Sequence, residues 1–447
     1  MSIIERAFRV AVKALTLEER MGLSLKSAMD RARRMLSESG RQPLGLAYRL
    51  AFEVVKRKAL VDHILDRILG EGLLKTSETV KQVMRLLVYE FKLNPARSLQ
   101  TDETSKALRR MLSPDGYKLC IRLLTKLRAL PLDTLLPEPG SLEYLSVLTS
   151  NPRWLVEYSL RILGPWDGLR FLKSLLDEPL TYLRLNTLKA SEDEILTSLR
   201  EEGVRLVKVE GLKHVYKVES FRRPIVASRL YRRGLVYIQD LSSCLAVEVS
   251  EVKPGFTVVD VCAAPGAKTS YLAQLMENTG LIVSIELSKE RAGLWLREVS
   301  RMGVSNAYLI LTDASRTPPL KLKADVVLID PPCSGTGVFH RNPSVKWRMS
   351  PKDVRRFSEL QLSMLLSYAD LVKPGGCMVY STCSITVEEN EMVVEKFLNL
   401  NPDFEVEPLA GVIGEPGLRG FKECRRLYPH LHGCNGFFIA RLVRTAI

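Results

Sequence analysis

"FTVVDVCAAPGAKTSYLAQLMEN", residues 256–278, decides the fold class. It opens on a short, largely apolar run, as a parallel strand covered on both faces requires, then passes through a loop of small residues into a helical segment. The same grammar recurs. "LIVSIEL" (281–287), "AYLILTD" (307–313) and "ADVVLID" (324–330) are further strands of this kind, and "KERAGLWLREVSRMG" (289–303) is a crossover helix. Beyond them come a helix in "PKDVRRFSELQLSMLLSYADLV" (351–372), a strand in "GGCMVYSTC" (375–383), a helix in "TVEENEMVVEKFLN" (386–399) and a closing strand in "NGFFIARLV" (435–443). Strands and helices alternating at short spacing predict an open, doubly wound, mostly parallel α/β sheet over residues 241–447.

Ligands of such sheets bind beyond the carboxyl ends of the strands, and here every strand end carries a polar or reactive group. "CAAPGAK" (Cys262–Lys268) follows the first strand, Glu286 ends the second, Asp313 the third, Asp330 and Cys333 follow the fourth, and Cys383 the fifth. The first loop matches neither G-x-G-x-x-G nor a Walker loop, and with one glycine it is poorly shaped to cradle a pyrophosphate. An acid at the second strand end suits ribose hydroxyls, and Asp313 can accept from an adenine amine. The parts fit a nucleoside-bearing ligand without a large anionic group. S-adenosylmethionine is such a ligand.

Two thiols at neighbouring strand ends can form a metal pair, a redox pair, or a nucleophile with a helper. A metal would call for more Cys or His, and only His340 lies near in sequence; a redox pair lacks C-x-x-C. A nucleophile must be a thiolate, and the helix expected to open just after Cys383, with "SITVEENE" as its first turns, would favour one through its positive end. The acids of those turns partly oppose it. His430, His432 and Cys434 in "PHLHGCNG" crowd one short loop and make a poor zinc cage, so no metal is expected.

Upstream, residues 1–135 read as successive amphipathic helices, among them "ERAFRVAVKALTLEER" (5–20), "LGLAYRLAFEVVKRKALVDHILDRIL" (44–69) and "SETVKQVMRLLVYEFKL" (77–93), punctuated at Gly40, Pro43, Gly70, Gly72 and Pro95. This segment holds most of the excess of 65 Lys+Arg over 51 Asp+Glu, a net +14 that points to an anionic partner. Residues 136–144 have linker composition. Residues 145–240 read as a small α+β module of the RNA-recognition type, with strands "LTYLRLNTL" and "VRLVKVEGLKHVYKV" and a capping-box helix from Ser191. No apolar stretch reads as a signal peptide or membrane span, and eight scattered cysteines suit a reducing compartment. A cytoplasmic monomer is expected.

Taken together, "DVCAAPGAKTS", "IELSKER", "TDAS", "LIDPPCSGTG", "YSTCSITVEENE" and "GFFIA" resemble the Sun/Fmu (NSUN) family of RNA cytosine-5 methyltransferases, over roughly residues 145–447. The N-terminal helices resemble the NusB-like domain of its rRNA-modifying members. The resemblance implies a Rossmann-like class I methyltransferase domain, S-adenosylmethionine, and 5-methylcytosine made in RNA, with rRNA favoured over tRNA. It makes Cys383 the thiolate that adds to cytosine C6, Asp330 the group that holds the base, Lys268 a residue orienting base or cofactor, and Cys333 the thiol that assists release. Cofactor contacts would come from Cys262, Ala263, Ala264, Pro265, Gly266, Ala267, Lys268, Glu286, Arg291, Asp313 and Asp330. Three residues depart from the family pattern: Ala267 for a second glycine, Glu286 for Asp, and Cys434 for an acid. The rivals are a DNA cytosine-5 methyltransferase, with Cys333 as nucleophile, and a non-catalytic RNA-binding assembly factor. An amino-directed enzyme would carry an aromatic residue where Cys333 stands.

Overall fold

The computed structural model describes residues 1–70, 76–94, 101–316, 318 and 320–445; Gly72 and Pro95, read as helix punctuation, lie outside them. The chain forms two compact units, Met1–Glu178 with Phe339–Met349, and Pro179–Val338 with Ser350–Ile447.

The first unit is helical. Ser2, Ser24, Ser77 and Ser113 each cap a helix by accepting from a backbone N–H three residues on. Residues 44–69 do not form one helix. They divide at Arg57 into Arg41–Lys56 and Lys58–Leu69, each turning its own apolar stripe inward. The helices Leu142–Leu148 and Arg153–Ser174 also belong to this unit, so the break expected at 136–144 falls instead after Glu178. The second of these turns at Gly164 (φ 77°), ahead of Pro165, which lacks the N–H an unbroken helix needs. The segment Phe339–Met349 is fastened by Lys346, which is fully buried and donates to the carbonyls of Ser150 at 2.6 Å and Lys56 at 3.1 Å. Trp347 Nε1 donates to the Val55 carbonyl at 2.7 Å. No described helix is long and apolar enough to cross a membrane.

The second unit holds two sheets. The smaller contains β1 (Tyr182–Leu185), β2 (Val204–Lys208), β3 (Val215–Phe221) and β4 (Val236–Ile238) in the order β2-β3-β1-β4. All its pairs are antiparallel. "VRLVKVEGLKHVYKV" is therefore a hairpin rather than one strand. With Glu192–Glu201 after β1 and Arg229–Arg233 before β4, the connectivity is the split β-α-β-β-α-β arrangement. The capping box of Ser191 and Glu194 is present as read. Two buried polar residues of this sheet anchor it to neighbouring helices. Arg184 donates to Gln274 Oε1 at 2.6 Å, Ser270 Oγ at 2.7 Å and Gln239 Oε1 at 2.9 Å, with its guanidinium over the Tyr271 ring. Asn186 Nδ2 donates to the carbonyls of Gly234 and Met302.

The larger sheet contains β5 (Thr257–Val261), β6 (Leu281–Glu286), β7 (Ala307–Leu311), β8 (Ala324–Ile329), β9 (Val372–Thr382), β10 (Phe404–Val406), β11 (Glu415–Pro416), β12 (Arg425–Leu427) and β13 (Phe437–Arg444). Its order is β11-β12-β13-β9-β8-β5-β6-β7, with β10 on β13. β9-β8-β5-β6-β7 run parallel, and β13 closes the sheet antiparallel to β9. The chain runs outward from β5 to β7, then returns to place β8 on the other side of β5, which creates a topological switch point between β5 and β8. Val258, Val259, Val261, Val326, Val327, Leu328 and Ile329 are buried on both faces there, as their largely apolar runs predict.

Candidate active site

The small-residue loop after β5 is sharply bent. Cys262 has φ 64° and Gly266 φ 103°, and the Ala264–Pro265 bond is cis. A side chain at Gly266 would also press on Val299, with Cγ2 at 3.2 Å from a Cβ placed there. Ala267 starts the helix Ala267–Leu275 with ordinary angles, so this departure from a second glycine costs no strain.

At the next strand end Glu286 is buried, and its carboxylate turns back toward the loop. It accepts from the N–H groups of Ser288 at 2.9 Å, Leu287 at 3.1 Å and Ala264 at 3.3 Å. Arg291 braces the same corner: Nη2 donates to the Ala264 carbonyl at 2.5 Å, and Nη1 lies 3.6 Å from Glu286 Oε2. Asp313, two residues past β7, accepts from the N–H and hydroxyl of Ser315, bonds that hold its carboxyl below the usual range. Its hydrogen bonds are local, whereas Glu286, Arg291 and Ala264 share one network.

Asp330 directly follows β8. Lys268 Nζ donates to its Oδ2 at 2.5 Å, and Ser381 Oγ, from β9, to its Oδ1 at 3.0 Å. Burial opposes the Lys268 ammonium, but the charge of Asp330 and the hydrogen bond to it outweigh this and hold its pKa above the ordinary value. Three strand ends thus meet around one carboxylate.

Beside it the two thiols meet, with Cys333 Sγ 2.9 Å from Cys383 Sγ. Gly337 and Gly436 make this closeness possible. The Gly337 N–H donates to the Cys383 carbonyl at 3.0 Å, the Gly436 N–H to the Gly337 carbonyl at 2.9 Å, and a Cβ on Gly337 would fall 2.0 Å from the Gly436 oxygen. The Cys333 thiol is pushed well above its ordinary pKa by its hydrogen bond to Cys383, by burial, and by the charges of Cys383, Glu389 and Asp330. It is held as a thiol.

The helix expected just after Cys383 begins only at Glu391, eight residues on, so its N-terminus does not directly follow that thiol. Residues 384–390 turn instead around two buried side chains, Glu389 and Asn390, whose hydrogen bonds replace the first helical turns. Among the described residues no cluster of His, Cys, Asp and Glu could hold a metal, and all eight cysteines are free. His432 Nδ1 accepts from the Tyr428 N–H, and Cys434 is buried in the apolar core.

Two residues of this region escaped the sequence reading. Asp260, fully buried near the end of β5, accepts from Thr269 Oγ1 at 2.6 Å, and Thr269 in turn accepts from Trp295 Nε1 at 2.9 Å. Burial, with the charges of Asp330 and Glu286 adding to it against Thr269 and Lys268, pushes Asp260 up to about 7. An acid inside the apolar run "VVDV" was the available signal. The other is Glu389, whose place in "TVEENE" marks it only as an acid of a helical turn.

The family model described as "16S rRNA methyltransferase RsmB/F" matches residues 247–443. A probable ribosomal RNA small subunit methyltransferase B of Bacillus subtilis is 34% identical over 302 residues, covering 67% of each chain. The chain belongs to this family of RNA cytosine-5 methyltransferases. The human 28S rRNA (cytosine(4447)-C(5))-methyltransferase, another relative, is 36% identical over an alignment of 321 residues that covers 67% of this chain and 39% of that protein. Among solved structures, that of PH0851 superposes with a TM-score of 0.81 at 30% identity over 99% of both chains. NSun6 from Pyrococcus horikoshii with SFG gives a TM-score of 0.61 at 25% identity, covering 66% of this chain and 99% of that one. The methyl donor of the family is S-adenosylmethionine.

Proposed function

We propose that this methyltransferase modifies C5 of a cytosine in ribosomal RNA through a covalent bond between Cys383 and the base. The observation that carries the mechanism is the meeting of the two thiols beside the Lys268–Asp330–Ser381 group. C5 of cytosine is a weak nucleophile. Addition of the Cys383 thiolate at C6 breaks the C5=C6 double bond and leaves the electron pair at C5. Asp330, oriented by Lys268 and Ser381, accepts from the exocyclic amino group and fixes the ring during attack. S-adenosylmethionine supplies an electrophilic methyl group on a sulfonium. The buried Glu286 carboxylate fits its ribose hydroxyls, Asp313 its adenine amine, and the bent Cys262–Lys268 loop lets backbone approach it. Release returns the C5 proton to solvent, re-forms C5=C6 and breaks the C6–S bond. Cys333, held as a thiol 2.9 Å away, donates a hydrogen bond to the sulfur as it leaves.

RNA affinity is assigned to the basic helices of residues 1–135 and to a hollow in the small-sheet region lined by Arg222, Arg223, Arg229 and Arg232. The target cytosine is taken from a loop or flipped from its stack. Ribosomal RNA is favoured because the relatives reported above are named for it, and a cytoplasmic site suits eight free cysteines. The test is incubation with labelled S-adenosylmethionine and rRNA, tRNA or DNA, followed by digestion to nucleosides. Label in 5-methylcytidine from rRNA is expected. Another labelled nucleoside overturns the reaction, and label confined to tRNA overturns the substrate.

A further inference from the structure

Glu389 lies six residues beyond Cys383, fully buried, and takes no part in the reaction as written. Its carboxylate accepts from two loops at once. Oε1 takes the N–H of Ser334 at 2.8 Å and Gln361 Nε2 at 3.0 Å; Oε2 takes the hydroxyls of Ser334 at 2.5 Å, Ser384 at 2.6 Å and Thr386 at 2.8 Å. Ser334 immediately follows Cys333, and Ser384 immediately follows Cys383. A single carboxylate therefore bridges the residues next to the two thiols.

The donor set explains why an acid stands here. Every partner is a neutral donor, and the backbone N–H of Ser334 has no acceptor role to exchange. Gln361 is committed as well, because Nε2 gives its other proton to the Pro332 carbonyl at 3.0 Å, while the Tyr380 hydroxyl donates to the Glu389 carbonyl at 2.5 Å. The neighbouring loop atoms are tied in the same direction. Thr336 Oγ1 accepts from the Ile385 N–H at 2.9 Å and meets Ser384 Oγ at 3.0 Å. Asn390 Nδ2 donates to the Ser384 carbonyl at 3.0 Å. An ionised carboxylate accepts at both oxygens. An amide could keep its oxygen on the Ser334 N–H, but the three hydroxyls would have to turn and accept from it, and the charge-assisted bonds to both loops would be lost.

We propose that Glu389 is a positioning residue that locks the Cys333 loop to the Cys383 loop, so that the thiol-to-thiol contact used in release is formed. The proposal rests on the two-thiol reading above. It predicts a selective defect, because of the two thiols attack uses only Cys383, whereas release needs both loops in register.

The experiment compares wild type with Glu389→Gln on rRNA in single turnover, following formation and decay of the protein–RNA adduct on denaturing gels. In parallel, diamide is used to oxidise Cys333 and Cys383 to a disulfide without RNA, and the crosslinked peptides are quantified. Expected are near-normal adduct formation, an unchanged KM for S-adenosylmethionine, and release and thiol crosslinking each slowed about tenfold or more. Release and crosslinking at wild-type rates would overturn the proposal. So would equal slowing of attack and release with unchanged crosslinking, which would make Glu389 a support of the fold alone. If Glu389→Gln does not fold, Ser334→Ala and Ser384→Ala each remove one hydroxyl from one loop. Both should slow crosslinking and release, and wild-type rates in both would overturn the proposal. Failure of the functional reading is distinguishable: wild type would then make no 5-methylcytidine, while the crosslinking rates would still report on Glu389.

Discussion

The loops after β8 and β9 are alike in position and unlike in setting. Each follows a buried parallel strand, each delivers one thiol, and the sulfurs touch. Yet Cys333, tied through Ser334 to the Glu389 carboxylate and with Asp330 three residues before it, keeps its proton on through its hydrogen bond to Cys383, burial and nearby negative charge. Cys383 ends the strand that also carries Ser381, and its own loop passes back around Glu389 and Asn390. Two cysteines that look interchangeable by residue type are thus given different electrostatic surroundings. A cysteine's chemical role follows from what surrounds it more than from its place at a strand end.

Substitution tests that asymmetry most severely. Under the proposed mechanism Cys383→Ala abolishes both turnover and the covalent adduct with RNA. Cys333→Ala also stops turnover but accumulates an adduct that survives denaturant. Methyl transfer and denaturing gels check both, and reversed phenotypes would exchange the two roles.

A smaller effect should appear without any substrate. At neutral pH iodoacetamide reacts with thiolates, and the raised pKa of Cys333 keeps its thiolate fraction low. Peptide mapping over time should show Cys333 modified more slowly than a small free thiol. Equal rates would show that its surroundings do not keep its proton on.

The smallest effect extends the comparison to the adjoining strand β5. Asp260 titrates at about 7 in the folded protein, against about 3.9 for an exposed carboxyl. Between those values the native state holds one more proton than the unfolded chain, so stability falls by about 1.4 kcal/mol per pH unit as pH rises. The contribution is fully present below pH ~4 and lost as pH passes through about 7. Asp260→Asn keeps an acceptor for Thr269 and removes the titration. Urea unfolding at pH 5 and pH 7 should show the variant gaining on wild type by about 2 to 3 kcal/mol. A constant difference would show that burial beneath the Asp330 and Glu286 charges does not raise the Asp260 carboxyl.

Much of this was legible because it is local or periodic. Largely apolar runs marked β5, β6, β8 and β9, and Glu286, Asp330 and Cys383 stood at the ends of the last three. Ser191 and Glu194 announced their capping box. Other readings failed where local pattern competes with packing. "TVEENEMVVEKFLN" has helical spacing from its start, but four residues before Asn390 give up their turns because Thr386 and Glu389 bond across to Ser384 and Ser334. "VRLVKVEGLKHVYKV" reads as one extended run, but its Glu210–Gly211 turn folds it into a hairpin. Residues 145–178 adjoin the small sheet in sequence, yet pack with the preceding helices.

By itself, then, the sequence determined which strands are buried, in what order they occur, and which reactive groups end them, since these follow from side-chain periodicity and from the chemistry of single residues. Only the tertiary structure decided that Cys333 and Cys383 touch, that Lys268 and Ser381 share Asp330, and that Glu389 joins loops 50 residues apart. Those facts depend on β8 returning beside β5 and on β9 lying next to β8, and strand adjacency of that kind is set by long-range packing that no local pattern encodes.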